Sequence, residues 1–255
     1  MNTHSLRLAL LLGLLVCFSL PAAAQEPSAT PGPIPDHVLF TELLSRNVKD
    51  GVVSYKGFQA DLPRFEAYLE QMAQVDPATL SNNDRFAFFI NLYNAWTIRL
   101  ILTKYPDLRS IKDLGGFFGP WKMDLVKLNG QTVTLDHVEH GILRPEFKDP
   151  RVHFAINCAS KGCPKLRSEA YVGARLSDQL DDAVSRFIND PERTYIADGR
   201  LYVSRIFKWF AQDFDKDPVS FVRRYAKGDL ATRLAATGDG VSVKYLSYDW
   251  SLNGN

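Results

Sequence analysis

The longest apolar run reads "RFAFFINLYNAWTIRLILTKY" over residues 85–105. Its large side chains, among them Phe86, Phe88, Phe89, Leu92, Trp96 and Ile101, fall on every side of a 3.6-residue turn. A helix that is apolar all round belongs in the middle of a core, and Arg85, Arg99 and Lys104 argue against a membrane span. Ser81 to Asp84 supplies its cap. Shorter elements surround it. Asp36 caps a helix over 37–47, and a second helix runs over 61–74. "MDLVKLNGQTVTL" predicts a hairpin, with Asn129-Gly130 meeting the demand for positive φ at both central turn positions. Thr134 caps the short helix "LDHVEHGILR", and 152–157 has the composition of a buried strand. "TYIADGRLYVS" predicts a second hairpin around Asp198-Gly199. Ser204 caps "RIFKWFAQDF", Asp217-Pro218 opens another helix, and 241–248 reads as a last strand. Helices and strands mix without regular alternation. The expected fold is therefore α+β, a single domain with several helices around a central apolar helix and a small, mainly antiparallel sheet.

The start of the chain changes the picture. Residues 1–24 combine His4 and Arg7, a leucine-rich stretch too short to span a bilayer, and Ala22-Ala23-Ala24 before Gln25. They read as a secretory signal, which predicts a periplasmic or secreted protein without stable membrane insertion after cleavage. "QEPSATPGPIP" (25–35) reads as a flexible tether, leaving 36–255 as the globular domain. Removing the signal takes away Arg7 and no acid, so the remainder balances at 29 bases and 29 acids. No basic excess points to nucleic acid. No GxGxxG opens a βαβ unit and no phosphate loop is present, so no cofactor is expected. Nothing in the sequence fixes an oligomeric state.

Four groups of residues carry chemistry. Asn91 and Asn94 share a face of the apolar helix, with Tyr93 between them. Buried amides without partners cost about 1–3 kcal/mol each, so they either brace neighbouring loops or line a site. In "LDHVEHGILR", Asp136 can meet His140 at i,i+4, and His137 can meet it at i,i+3. Glu139 points elsewhere around the helix, and Asp136 also suits the helix N-terminus with no further role. His153, on the expected strand, reads as structural. Cys158 and Cys163 are the only cysteines beyond residue 24. Cys158 ends the expected strand, and the backbone N–H groups of "ASKG" can form an oxyanion cradle. Cys163 precedes Pro164, where a helical turn would favour a thiolate, as would Lys161, Lys165 and Arg167. His140 is the expected base. Three alternatives stay open: a Cys158–Cys163 disulfide, a zinc site from His137, His140, Cys158 and Cys163, and buried thiols without chemistry.

"FAFFINLYNAWTI", "LDHVEHGILR" and "PRVHFAINCASKGCPKLR", with "GVVSYKGF" before and "VSRIFKWFAQDF" after, resemble the bacterial and plant domain-of-unknown-function family 547 (DUF547). The resemblance covers roughly residues 40–230. Its signature positions here are Asn91, Asn94, Glu139, His140, Cys158 and Cys163. It implies an envelope or secreted protein and a cysteine hydrolase on a permuted papain-like scaffold, in which the base precedes the nucleophile, as His140 precedes Cys158. The papain-type "CGSCW" signature is absent. The combined expectation is a cysteine-dependent hydrolase or transferase acting on an amide or thioester of a small molecule or peptide. Cys158 would be the nucleophile and His140 the base, with Glu139 or Asp136 orienting a histidine and Asn91 holding the site. Asn94, Tyr93, Cys163 and Lys161 would face the substrate, and no metal would take part. The alternatives are a non-catalytic envelope binding module with a Cys158–Cys163 disulfide, or a zinc-binding protein.

Overall fold

The computed structural model describes residues 36–238 and 240–255, so the expected signal and tether lie outside the described residues. The chain enters α1 (Val38–Asn47) through His37, whose ring meets the Tyr68 hydroxyl at 2.8 Å. β1 (Val48–Lys49) and β2 (Val52–Val53) pair antiparallel across Asp50-Gly51, both at positive φ. α2 (Tyr55–Ala60) and α3 (Leu62–Ala73) follow. α4 (Asn82–Leu102) is the expected central helix. The Ser81 side chain accepts from the Asp84 N–H at its start, and every residue from Phe86 to Ile98 is buried. Among the described residues no helix is long and apolar enough to cross a membrane.

β3 (Val126–Leu128) and β4 (Gln131–Val133) form the expected hairpin, with Asn129 and Gly130 at φ 45° and 74°. Thr134 Oγ1 accepts from the His137 N–H, as expected of a cap, but the next segment, His137–Leu143, is a π-helix. Pro145 explains the wider turn. It has no N–H to give, and its ring crowds the carbonyl four residues back in an α register. The Arg144 N–H reaches instead to the Glu139 carbonyl, five residues back. α5 (Arg144–Phe147) completes the unit.

The expected strand over 152–157 is not formed. Asp149 accepts from the Arg151 N–H and starts a 3₁₀ turn, Pro150–Phe154. Beyond it, the Asn94 side chain on α4 takes the place of a neighbouring strand. Its Nδ2 donates to the Ala155 carbonyl (3.0 Å) and its Oδ1 accepts from the Asn157 N–H (2.8 Å). α6 (Leu176–Ile188) occupies a stretch for which no element is predicted above. β5 (Thr194–Ala197) and β6 (Arg200–Val203) pair antiparallel about Asp198-Gly199. α7 (Ile206–Trp209), α8 (Pro218–Tyr225) and α9 (Gly228–Ala236) precede β7 (Ser242–Tyr245), which joins β6 in parallel. The result is an α+β domain with two hairpins and one mixed three-stranded sheet. Nothing in it ties the chain to a permuted papain-like arrangement.

Two apolar clusters fill the interior. One surrounds α4. The other gathers Phe154, Phe187, Phe207, Phe214 and Phe221 beneath the three-stranded sheet. The end of the chain ties back onto the first cluster. Val53 exchanges backbone hydrogen bonds with Asn253 and Asn255, and Tyr55 donates its hydroxyl to Asn253 Oδ1 at 2.6 Å.

Candidate functional site

A cavity of about 270 Å³ opens where residues of the two clusters approach each other. One wall comes from α4 and the π-helix through Tyr93, Asp136, Glu139 and His140. A second holds Cys158, Cys163 and Pro164. The third is aromatic. Trp209, Tyr248 and Trp250 stand in mutual contact, with ring centroids 4.6–5.7 Å apart, and Trp121 meets Trp250 at 5.8 Å. Trp121, Trp209, Phe210, Tyr248 and Trp250 were not among the expected site residues. They come from three separate stretches of chain, and their only local signal is aromatic density in "PWK", "KWF" and "YDW".

Cys158 and Cys163 are joined in a disulfide, with Cα atoms 6.2 Å apart. This overturns the expected nucleophile, because a disulfide sulfur is not a thiolate. The cradle proposed for "ASKG" is not available either, since three of its four N–H groups, those of Ala159, Lys161 and Gly162, already have protein acceptors. The Cys158 N–H donates to Cys163 Sγ, the Ala159 N–H to Asn157 Oδ1, and the Lys161 and Gly162 N–H groups to the carbonyls of Ser251 and Asp249. No helical turn follows Cys163. The Tyr248 hydroxyl, 3.2 Å from both sulfurs, donates to the bridge rather than to a base. Burial pushes that hydroxyl up to about 12.

His140 lies along the same cavity but is engaged elsewhere. Its Nδ1 is 2.9 Å from an Arg144 amino group, and since a guanidinium can only donate, Nδ1 accepts and the ring proton sits on Nε2. Nε2 is 3.9 Å from Asp136 Oδ1. Arg144 in turn clamps Asp213 through two hydrogen bonds (2.6 and 2.9 Å), and His153 Nε2 donates to Asp213 at 2.7 Å. Burial works against the charge on Asp213, but His153 and Arg144 outweigh it and hold the carboxyl well below its ordinary range. His153 stacks on Phe210, centroids 3.9 Å apart. This network fixes one side of the cavity. It brings no imidazole into hydrogen-bonding partnership with sulfur, so the cysteine-hydrolase expectation is corrected in full.

The zinc alternative is also overturned, because no group of three or more metal-ligating side chains converges among the described residues. Of the remaining expected site residues, Tyr93 and Glu139 meet in the cavity. The Tyr93 hydroxyl is raised well above its usual range by burial and by the adjoining Glu139 carboxylate. Asn94 and Asn91 do not line it. Asn94 braces 155–157, and Asn91 Nδ2 and Oδ1 pair with the Tyr171 carbonyl and N–H (2.7 and 2.9 Å). Lys161 sits on the outer side of the disulfide loop, away from this cavity.

Comparison with known families places part of this architecture. Residues 77–188 match the family of proteins of unknown function DUF547. The matched segment runs from the turn before α4 to the end of α6 and carries Tyr93, Glu139, His140 and both cysteines. Trp209, Phe210, Tyr248 and Trp250 lie beyond it. No curated protein and no solved structure matches the chain.

Proposed function

We propose that this protein is a non-catalytic module of the cell envelope that binds a small ligand in the aromatic cavity, with the Cys158–Cys163 disulfide acting as a fixed wall. The observation that carries this reading is the disulfide itself, placed where a nucleophile would have to be. Cavities that are mostly apolar, with a few convergent polar groups, are the usual form of ligand sites. The export signal expected over 1–24 would agree with it, because structural disulfides persist in oxidising compartments.

Intact mass spectrometry of protein freshly isolated without reductant tests the reading. The expected chain begins at Gln25, resists alkylation, and gains about 2 Da and two alkylation sites on reduction. A thermal-shift screen of small molecules should return stabilising ligands, and these should be lost in Trp250→Ala. Rapid alkylation of Cys158 in the native, unreduced protein would overturn the reading.

A further inference from the structure

Glu139 is unlike Asp136, the other acid of the cavity lining, and unlike the nearby Asp213. It is only 7% exposed, and among the described residues its carboxylate enters no ion pair. Asp213 is held by Arg144 and His153, and Asp136 is partly exposed beside His140. Lys122 also lines the cavity, but it is exposed and forms no ion pair with Glu139. Tyr93 hydrogen-bonds the Glu139 carboxylate and Arg144 acts on it electrostatically, but neither forms an ion pair with it, so its burial is only partly offset and a positively charged ligand in contact with it would offset more. Besides its two histidines, the lining carries two acids, Asp136 and Glu139, against one lysine, Lys122.

The opposite wall supplies the complement. Trp121, Trp209, Tyr248 and Trp250 present indole and phenol rings to the same space. The faces of such rings attract cations, tryptophan most strongly. The molecule already uses this property nearby: Lys112 Nζ lies 4.2 Å from the centroid of Trp250, although Lys112 does not line the cavity. Arg144 is placed over Phe210 in the same way, at 5.0 Å.

We propose that the cavity selects an organic cation, a substituted or quaternary ammonium group, seated between the Glu139 carboxylate and the tryptophan wall. This rests on the binding-module reading and names its ligand class. Glu139 supplies the charge, the rings supply apolar contact and cation–π attraction, and the disulfide wall keeps the volume small.

Choline and its uncharged carbon isostere 3,3-dimethyl-1-butanol differ in the charge and little in shape. Calorimetric titration of the mature protein with each should show choline binding at least about tenfold more tightly. Glu139→Gln should abolish that difference while leaving the weak binding of the isostere unchanged, with an unaltered circular dichroism spectrum. Should Glu139→Gln not fold, Trp209→Leu, at a half-exposed position, should weaken choline several-fold and spare the melting temperature. Equal binding of choline and the isostere overturns the cation proposal and leaves the binding module standing. Binding of neither also overturns it, while neutral hits in the thermal-shift screen together with an intact disulfide would preserve the module. Alkylation of a free Cys158 removes the module itself.

Discussion

Asn94 replaces a strand by a side chain, and removing that side chain should be expensive. In Asn94→Ala the Ala155 carbonyl loses its donor at 3.0 Å and the Asn157 N–H loses its acceptor at 2.8 Å. Both lie in buried surroundings, where an unsatisfied polar group costs about 1–3 kcal/mol, so the pair predicts a loss of about 2–6 kcal/mol. Against a domain stability of about 5–15 kcal/mol this is a large fraction. Asn94→Asp separates the two bonds. The carboxylate still accepts from Asn157 but faces the Ala155 carbonyl with a second acceptor, so it should be no better than Ala. Urea unfolding followed by tryptophan fluorescence measures both, because three tryptophans line the adjacent cavity. Asn91→Ala should cost a similar amount, since it also loses two bonds to a buried backbone. It anchors Tyr171 rather than the cysteine loop, so ligand affinity should fall for Asn94→Ala and hold for Asn91→Ala at temperatures where both stay folded. An Asn94→Ala variant within about 0.5 kcal/mol of the parent would refute the claim that this amide stands in for a ladder.

Other perturbations have equally definite outcomes. Replacing both cysteines by serine opens a loop with a sequence separation of 5, and loop entropy alone predicts a loss of about 2 kcal/mol in chemical denaturation. Phe154→Ala, at the centre of five contacting phenylalanines, should lower stability by about 3–5 kcal/mol. Burial lowers the His37 imidazole from 6.5 to about 4, partly opposed by Asp36 and Asp84. The unfolded chain therefore takes up this proton first as pH falls. Stability should be full above pH 6.5 and decline by up to about 3 kcal/mol on acidification to pH 4, a slope that His37→Gln should flatten in unfolding titrations.

Local features of this fold were legible in the sequence wherever the deciding atoms are close along the chain. Asn129-Gly130 and Asp198-Gly199 announce their turns because positive φ is a property of those residues. The 85–105 run declares a buried helix because no face of it is polar. α6 was missed although its signal was present: Leu176, Leu180, Ala183, Val184 and Phe187 mark a helical stripe, and all are buried. Residues 152–157 mislead because their composition is that of a strand while their backbone partners lie on α4, some sixty residues away. The π-helix was hidden for a different reason. Its cause, Pro145, follows the turn that it alters. The thiols were ambiguous in principle, since a spacing of five residues suits a nucleophile loop and a disulfide alike. The aromatic wall was beyond reach because Trp121, Trp209 and Trp250 meet only after folding.

Residues 249–255 behave as a latch. Asn253 reaches the Tyr55 hydroxyl and Asn157 Oδ1, Asn255 is hydrogen-bonded through its backbone to Val53 and Tyr55, and Ser251 and Asp249 hold the loop that carries the cystine. Removing 248–255 would take away both the clasp and two of the rings that floor the hollow, Tyr248 and Trp250, so one deletion would unmake fastening and floor together.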